Sequence, residues 1–576
     1  MRVPTATPGP GGRRGGYALV LILTLVGVSL LVLGSAMLWS INEGRLIERN
    51  NQYFRSVAAA EAASEKVVTE IAADYHLSGE PFVQGRLDTY RLRVPTPGED
   101  NYWVNYQFDN GQGGLDQTFV KRNADWTYVD LPRPFNGLRG LGTTYRVISN
   151  AREVNSPYAM TGAVRQDVQL SSIPVFRFGI FYALDLEIHP ATNWTLNGWT
   201  HSNADIYSQP ESSLTFQKKV TAVGRINSNK KTGDPLVRGS GATTFQGKRQ
   251  SGVNSLLVPL GLTNAPASLR ALIEIPPVGE PVTSPLGAQR YYNKADLIVV
   301  ISDTGIVVKA GATNGFLILP WFNPALTTPQ VSDFINTNIF FYDKREQKTV
   351  AAVDIDINLL LAWNLLNETL RPILGGNLRI LYIADLRTQT AGTQTGIRLI
   401  HGQTLLPEGL TIVTPNPLYV KGDYNLPVST SVPASLVADS VTVLSENWDD
   451  LNGHLALGGM LGTRVAANTT VNAAILTGIV PTGGGSYSGG VENLIRLLED
   501  WTGKTLTYNG SLVAMFESVI AVGPWGQPDT YLPPDRPWSH DTNFNDFTRL
   551  PPGTPHVQVA CRAAWETIPP NSSALY

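Results

Sequence analysis

The hydrophobic and polar positions change character twice along the chain. Residues 17–41 carry no charge, residues 42–75 place apolar side chains at three- and four-residue steps, and beyond residue 81 apolar and polar residues alternate in short runs. These patterns predict, in order, a helix long enough to cross a bilayer, an amphipathic helix and half-buried β-strands. No proline lies between Tyr17 and Glu80. The two helical patterns therefore predict one continuous helix.

The flanks of the apolar run predict its orientation. Arg2, Arg13 and Arg14 precede the run, whereas the residues after it mix both signs of charge. The positive-inside rule then places the N-terminus in the cytoplasm and the rest of the chain outside. A cleavable signal peptide ending at Ala36 is the alternative, but the apolar core of a signal peptide usually spans only about 7 to 15 residues. The length of this run favours a retained anchor.

The rest of the chain predicts a mainly β body. In residues 171–254 and 401–516, short strands separated by Asn, Gly and Pro turns are typical of a β-solenoid, although their spacing looks irregular. Between these parts, continuous apolar strands ("KADLIVVISD", "NLRILYIAD") and helical patterns ("TPQVSDFINT", "INLLLAWNLLNETL") predict a mixed α/β insertion. The apolar stripe of "GGVENLIRLLEDW" predicts a short helix that caps the solenoid.

These patterns divide the chain into segments. They are a leader (1–16), a transmembrane helix (17–41), an amphipathic helical stem (42–80), a β-rich region (81–170), the first solenoid part (171–254), the α/β insertion (255–400), the second solenoid part with its capping helix (401–516) and a C-terminal segment (517–576).

Composition narrows the classes of partner. Charged residues make up 16% of the chain and the net charge is −3, so no basic field predicts nucleic acid as a primary partner. The single cysteine, Cys561, excludes an internal disulfide and a cysteine-based metal centre. The seven histidines show no metal-ligand spacing. We therefore expect no cofactor and no metal.

One strand offers acid–base chemistry. In "LDLEIH", strand alternation places Asp185, Glu187 and His189 on one face. Two carboxylates and an imidazole could act on a glycosidic bond, yet the solvated face of a strand explains them as well, and this is the interpretation we favour. Asp354 and Asp356 pose the same question. "DTNFND", from Asp541 to Asp546, begins like a calcium loop but lacks its glycine and glutamate.

The N-terminal motifs resemble a known family. A basic leader ending in glycine, "GGRRGG", followed by an apolar helix and an alanine-rich stem with "AAAEAA", is similar to the N-terminus of type IV pilin-like proteins of the PilX type. The resemblance implies that a prepilin peptidase cuts after Gly16 and leaves Tyr17 as the new N-terminus. It also implies a bacterial inner-membrane anchor, other pilin-like subunits as partners, and a body in the periplasm or on the cell surface.

One position departs from the family pattern. The fifth mature residue, usually Glu in major pilins, is Leu21 here, and the nearest downstream carboxylate is Glu43. A buried carboxylate specifies register only beside a partner charge. Its absence predicts a minor subunit.

A second resemblance concerns the body. "HSN" at residues 201–203, "TPNPLYVKGDYN" and "NAAILTG" are similar to long PilX-type proteins with a β-helix-like outer part. The expected function is that of a non-enzymatic minor pilin or pseudopilin of a type IV pilus or type II secretion filament. Its body would serve subunit contacts or adhesion, with a surface glycan as one candidate ligand. The alternative is a surface-anchored carbohydrate-active enzyme, either a polysaccharide lyase or a hydrolase.

Overall fold

The computed structural model describes residues 17–311, 317–324, 328–368, 370–454 and 460–571. Gly16 and the rest of the predicted leader lie outside the described residues. The chain begins with one helix, α1, Tyr17–Ser78, of 62 residues. This confirms the predicted continuous helix. It ends at Ser78, and the next residue, Gly79, has a φ of 86°, a left-handed conformation that glycine adopts without strain.

An antiparallel sheet packs against the second half of α1. Two short helices and four strands follow α1: α2 Glu80–Gln84, α3 Leu87–Arg91, β1 Tyr106–Asp109, β2 Phe119–Asp130, β3 Arg139–Glu153 and β4 Thr161–Pro174. Strand β3 pairs antiparallel with β1, β2 and β4. The predicted β-rich region is therefore a meander-like sheet that covers one face of the helix.

The next strands are short and pair in parallel. They are β5 Phe178–Tyr182, β6 Leu186–Ile188, β7 Trp194–Leu196, β8 Trp199–Ser202, β9 Ile206–Ser208, β10 Ser213–Phe216, β11 Val220–Ala222, β12 Ile226–Asn227, β13 Ala242–Phe245 and β14 Arg249–Ser251. Strand β8 pairs with β5 and β11, β9 with β6 and β12, and β10 with β7 and β13.

The register of these pairs corrects the predicted irregular spacing. Leu186 pairs with Ile206 and Ile206 with Ile226, so each step along this ladder is 20 residues. Trp194 and Leu214 repeat the same step. Apart from a one-residue shift between Phe178 and Ile180, the step holds up to residue 227, after which β13 and β14 follow a longer connection. Strands β5 to β12 thus form two complete three-strand repeats and the first two strands of a third, with apolar side chains in register.

The region from residue 255 to 400 contains both predicted element types. Its elements are α4 Pro266–Arg270, α5 Pro285–Gln289, α6 Tyr291–Lys294, β15 Leu297–Ser302, β16 Gly305–Ala310, β17 Leu317–Leu319, α7 Val331–Phe334, β18 Ile335–Asp343, β19 Lys348–Asp356, α8 Ile357–Leu366, α9 Leu370–Leu374, β20 Ile380–Asp385 and β21 Thr393–Ile400. The predicted strands β15 and β20 and the helix α8 are confirmed. The helix predicted in "TPQVSDFINT" is only the four-residue α7, because the chain continues directly into β18.

The remaining strands, except the last one, return to parallel pairing. They are β22 Leu410–Val413, β23 Pro417–Lys421, β24 Ala434–Ala438, β25 Ser440–Leu444, β26 Thr469–Asn472, β27 Ala474–Ile479, β28 Ile495–Leu497, β29 Leu506–Gly510, β30 Leu512–Glu517, β31 Trp538–His540 and β32 His556–Thr567, with helix α10 Asp450–His454 after β25. Single 3-10 turns occupy Asn101–Asn105, Val175–Arg177, Val428–Thr430, Leu461–Thr463, Val491–Asn493, Thr542–Asn545 and Phe547–Arg549.

The predicted capping helix in "GGVENLIRLLEDW" is wrong. The chain forms a 3-10 turn, Val491–Asn493, and then strand β28, which pairs in parallel with β25. All three residues of β28 are buried. A strand buried on both faces shows no alternation, so its apolar positions resemble those of a helix.

One twelve-stranded sheet runs through the whole body. Its order is β14-β11-β8-β5-β30-β27-β24-β22-β20-β15-β16-β17, and every pair from β14 to β15 is parallel. The chain therefore enters mid-sheet at β5, runs outward to β14, crosses to β15 at the far side and returns to β30, which pairs with β5. This corrects the predicted α/β insertion, because β15 and β20 continue the same sheet as the strands on either side of them.

This path returns the C-terminal strand, β32, to the antiparallel sheet that packs against α1. Strand β32 pairs antiparallel with β4, so the body leaves and rejoins one antiparallel sheet through adjacent strands. A six-stranded sheet, β18-β19-β21-β23-β25-β28, faces the twelve-stranded sheet across an extensive core of buried residues. The protein is mainly β, with one long N-terminal apolar helix.

Candidate functional site

Helix α1 divides into two halves with opposite surroundings. Every residue from Tyr17 to Asn51 is exposed, and burial begins at Gln52. At about 1.5 Å per residue the exposed half is roughly 52 Å long. Its most apolar 18-residue window has a mean hydropathy of 2.6, so the helix is long and apolar enough to cross a membrane. A cleavable signal sequence has the same properties.

Two hydroxyl side chains of the exposed half bond to the helix itself. Thr24 Oγ1 donates to the carbonyl of Val20 at 2.9 Å, and Ser35 Oγ donates to that of Leu31 at 2.9 Å. Such bonds leave no hydroxyl proton that needs water. Leu21 is 67% exposed, so the position where major pilins carry Glu presents an aliphatic side chain.

The second half of α1 is held closely by the antiparallel sheet. Ala60, Ala63 and Ile71 are fully buried against it. At Gly162 on β4 the two backbones approach so closely that a Cβ atom would lie 2.4 Å from the amide nitrogen of Val57. Small residues on both sides therefore set the distance between helix and sheet.

Polar bonds fix the register of this contact. Ser56 Oγ donates to the Met160 carbonyl at 2.9 Å, and Gln166 Nε2 donates to Ser64 Oγ at 2.9 Å. Beyond the end of the helix, the Tyr145 hydroxyl donates to Glu80 Oε1 at 2.6 Å, where both side chains are buried. Burial raises the pKa of the Tyr145 phenol, so it remains a donor.

The predicted solvated face of "LDLEIH" is wrong. Glu187 and His189 are each only 3% exposed, because β9 covers one edge of β6 and the turn region before β28 covers the side chains. Asp185 is half-buried and forms an ion pair with Lys231, with Oδ2 and Nζ 2.8 Å apart. The three side chains therefore do not share a solvent-accessible surface.

Glu187 and His189 belong to a buried polar cluster. Glu187 Oε1 accepts hydrogen bonds from Thr482 Oγ1 at 2.6 Å and Ser488 Oγ at 3.1 Å. The backbone N–H of His189 donates to Glu492 Oε1 at 3.1 Å. Burial lowers the pKa of His189 to about 4 and raises that of Glu492 to about 7. The cluster therefore joins the first repeats to the segment before β28 mainly through hydrogen bonds.

Glu187, His189 and Asp234 have ligand atoms within 4.8 Å of one another, a spacing that could hold a metal ion. His189 Nδ1 accepts the backbone N–H of Gln209 at 3.0 Å, so the neutral ring carries its proton on Nε2 and offers no lone pair there. Asp234 Oδ2 already accepts from Arg238 Nε at 2.7 Å. These bonds make the cluster a poor cation site.

A water molecule suits the cluster better. Among the described residues, Glu187 Oε2 and His189 Nε2 have no partner, which leaves one acceptor and one donor. The adjoining cleft, lined by Tyr182 and Asp185 among others, has about 10 Å³ of space for a solvent molecule, close to the requirement of one water.

The sequence analysis did not identify Glu492 as a member of this cluster. Its only signal in the sequence is that it is an acidic residue within an apolar run.

The other candidate acids have structural partners. Asp354 forms a buried ion pair with Arg398, with Oδ1 and Nε 2.8 Å apart. Asp356 caps helix α8 by accepting from the Leu359 N–H at 3.1 Å. In the calcium-like motif, Asp541 and Asp546 each cap a 3-10 turn. These carboxylates are used in local structure.

Comparisons with known proteins identify no family for the chain. No protein-family model matches the chain, and no curated protein sequence matches it. Among solved structures, it is similar to the crystal structure of the competence-associated pilin ComZ from Thermus thermophilus, with 10% sequence identity over 89% of this chain and 97% of that chain, and a TM-score of 0.26. A TM-score this low does not define a shared fold. The geometry of α1 and its sheet therefore carries the functional inference.

Proposed function

We propose that this protein is a membrane-anchored, minor pilin-like subunit that displays its β-rich body outside the cytoplasm. The observation that carries the proposal is the division of α1 into an exposed apolar half and a half buried against an antiparallel sheet. In a soluble domain, about 35 exposed, mostly apolar residues on one helix would place a large apolar surface in water, which is unfavourable. A lipid bilayer and a bundle of similar helices would both cover them.

The processing and topology follow from the sequence resemblance. A prepilin peptidase would cut after Gly16, and Tyr17 would become the N-terminus of a helix retained in the inner membrane. The N-terminus would face the cytoplasm, and the body would lie in the periplasm or on the cell surface. The partners would be other pilin-like subunits of a type IV pilus or a type II secretion filament.

A minor position is supported by the side chain of Leu21. In an apolar helix bundle, a carboxylate beside a neighbour's terminal amine would specify axial register, and an aliphatic side chain cannot. Such a subunit suits a site of few copies, where neighbours of another kind fix its position.

The body would be a β-solenoid that displays a surface for subunit contacts or adhesion, with a surface glycan as one candidate ligand. The 20-residue register of β5 to β12 and the unbroken parallel order from β15 to β14 support this architecture. The chain would enter the solenoid at β5 and leave it through β32. Both connections would run to the antiparallel sheet that packs against α1, so the solenoid would be attached near its middle.

We favour a structural role for the body over catalysis. The burial of Glu187 and His189 supports this choice, since a polysaccharide chain could not reach them without local opening. The test is an assay of the purified full chain for reducing-end or unsaturated-sugar release on a panel of glycans. Turnover that is lost on Asp185→Ala would favour the enzyme instead.

The mature N-terminus tests the main proposal. We expect protein extracted from membranes of a host with a prepilin peptidase to begin at Tyr17. Gly16→Val should leave the leader attached, whereas the matched Gly12→Val variant should be processed normally. A mature protein that begins at Met37 and is recovered from the soluble fraction would contradict the proposal and identify a signal peptide.

A further inference from the structure

The two ends of the parallel body differ in how they are closed. At one end, β15 is followed by the antiparallel strands β16 and β17, and the hairpin β18–β19 ends the facing sheet. At the other end the last strands are β12, β13 and β14, each of which lies at the edge of its sheet. We call these three strands the open edge. Stacked β repeats usually cover such a terminus.

The backbone of the open edge is available for pairing. The carbonyl of Lys248 accepts from the N–H of Val220 on β11. In a parallel ladder, residues 248 and 250 therefore direct their backbone groups toward β11, whereas Arg249 and Ser251 direct their N–H and C=O groups away from it. All three residues of β14 are exposed. Among the described residues, none pairs with this outer side. A further strand could therefore add to it.

A ladder of side chains also ends here without a cover. Leu196, Phe216 and Phe245 occupy successive positions in β7, β10 and β13. The rings of Phe216 and Phe245 are stacked with centroids 5.2 Å apart and an interplanar angle of 5°. The Arg249 guanidinium lies over Phe245, 5.3 Å from its centroid. An added segment that pairs with β14 and also reaches the neighbouring edge strand β13 could continue the ladder with an apolar side chain.

Charge identifies the kind of strand that fits. Residues 209–252 contain eight lysines and arginines but two acids, whereas the whole chain has 44 basic and 47 acidic residues. Of the two acids, Asp234 is buried and bound by Arg238, and Glu211 is exposed. Lys218, Lys248 and Arg249 are exposed. The open edge thus combines unpaired backbone with a basic rim.

We propose that the open edge binds an extended, acidic segment of a second protein by strand addition. Two copies of this chain joined at their open edges would bring the basic rims together, and like charges oppose that contact. Acidic side chains alternating along an added strand would meet the rim, while its backbone would pair with β14. This inference does not depend on processing at Gly16.

A labelled heptapeptide, Glu-Thr-Glu-Phe-Glu-Thr-Glu, tests the proposal with the full chain in detergent. Fluorescence anisotropy should detect saturable binding. The double variant Lys248→Glu/Arg249→Glu should weaken that binding by about tenfold or more. The matched double variant Lys121→Glu/Arg379→Glu, at exposed positions on β2 and before β20, should bind like the parent. Identical circular dichroism and melting of both variants would exclude misfolding as the cause.

A second arm separates strand addition from attraction by charge alone. The same peptide N-methylated at alternate residues keeps its charge but cannot pair its backbone, so it should lose binding. Equal binding of the N-methylated peptide, or of heparin in a way that displaces the peptide, would overturn the proposal in favour of a general polyanion surface. No saturation up to about 1 mM peptide, or self-association of the chain through this edge, would also overturn it.

Discussion

The two halves of helix α1 are made of one continuous element but stabilised by different surroundings. From Gln52 onward, alanines and serines let the helix approach a sheet, and the exposed face carries charge. From Tyr17 to Ile41 the helix carries no charged side chain and is mostly apolar on every side, and no described part of the chain covers it. A helix apolar all round indicates an environment supplied from outside the molecule. The folding energy of the body should therefore depend on the second half and barely on the first.

The largest expected effect comes from the closest backbone approach. Gly162→Val would place a Cβ 2.4 Å from the Val57 amide nitrogen, which helix and sheet can relieve only by separating. We expect a loss of at least about 3 kcal/mol in the free energy of unfolding, measured by urea denaturation in detergent. Gly34→Val, in the exposed half with nothing within 4 Å, is the control. Equal losses would show that the halves do not differ as described.

A cavity in the buried half should have a comparable or smaller cost. Ile71 is fully buried between α1 and the sheet, so Ile71→Ala should lower the free energy of unfolding by about 2 to 5 kcal/mol. Ile22 is 57% exposed, and Ile22→Ala should leave the unfolding of the body unchanged. A destabilised Ile22→Ala body would mean that the exposed half packs on the chain itself.

The polar contact beyond the end of the helix should contribute less again. Tyr145→Phe removes the donor to Glu80 and leaves a buried carboxylate with one partner fewer, at an expected cost of about 1.5 to 3 kcal/mol. Tyr128, which is 52% exposed on β2, supplies the matched control Tyr128→Phe. A cost below that of the control would remove this bond from the account.

Acid should destabilise the body through its buried histidines. Burial lowers the pKa of His201 to about 4, whereas an unfolded histidine titrates near about 6.5. The unfolded state therefore binds a proton between these values, and stability falls as pH decreases from 6.5 to 4, by up to about 1.4 kcal/mol per pH unit for each such histidine.

The variant His201→Gln should reduce that pH slope. Burial also raises the pKa of Glu492 to about 7, which has the opposite sign, since its contribution is lost as pH rises from 4.5 to 7. Urea midpoints between pH 4 and 8 check both. An unchanged slope in His201→Gln would contradict the buried neutral imidazole.

Local patterns were sufficient to predict helix α1 and strands β15 and β20, but not the arrangement of the strands. Helix α1 is predicted because an absence of proline and of charge is a local property, and β15 and β20 because they are continuous apolar runs. The pairing of β30 with β5 joins Leu512 to Ile180, and no local signal reports a contact at that separation. The path that enters the sheet in its middle could therefore not be predicted.

The buried polar cluster illustrates the same limit. Strand alternation correctly separated Glu187 and His189 from their apolar neighbours, but the segment that covers them lies 295 residues away at Thr482. The 20-residue repeat was present in the sequence, yet its positions share only apolar character, as with Trp194 above Leu214. A search for apolar positions repeated at a fixed spacing of 20 residues could have found it.

Hydrogen exchange of the full chain in lipid nanodiscs tests the division of α1 most directly. Peptides from residues 17–41 should be protected in lipid, peptides from residues 52–78 should be protected by the sheet in lipid or detergent, and Gly162→Val should deprotect only the second set. Residues 17–36 missing from membrane-extracted protein, or exchanging in lipid as freely as an uncovered helix, would contradict the account.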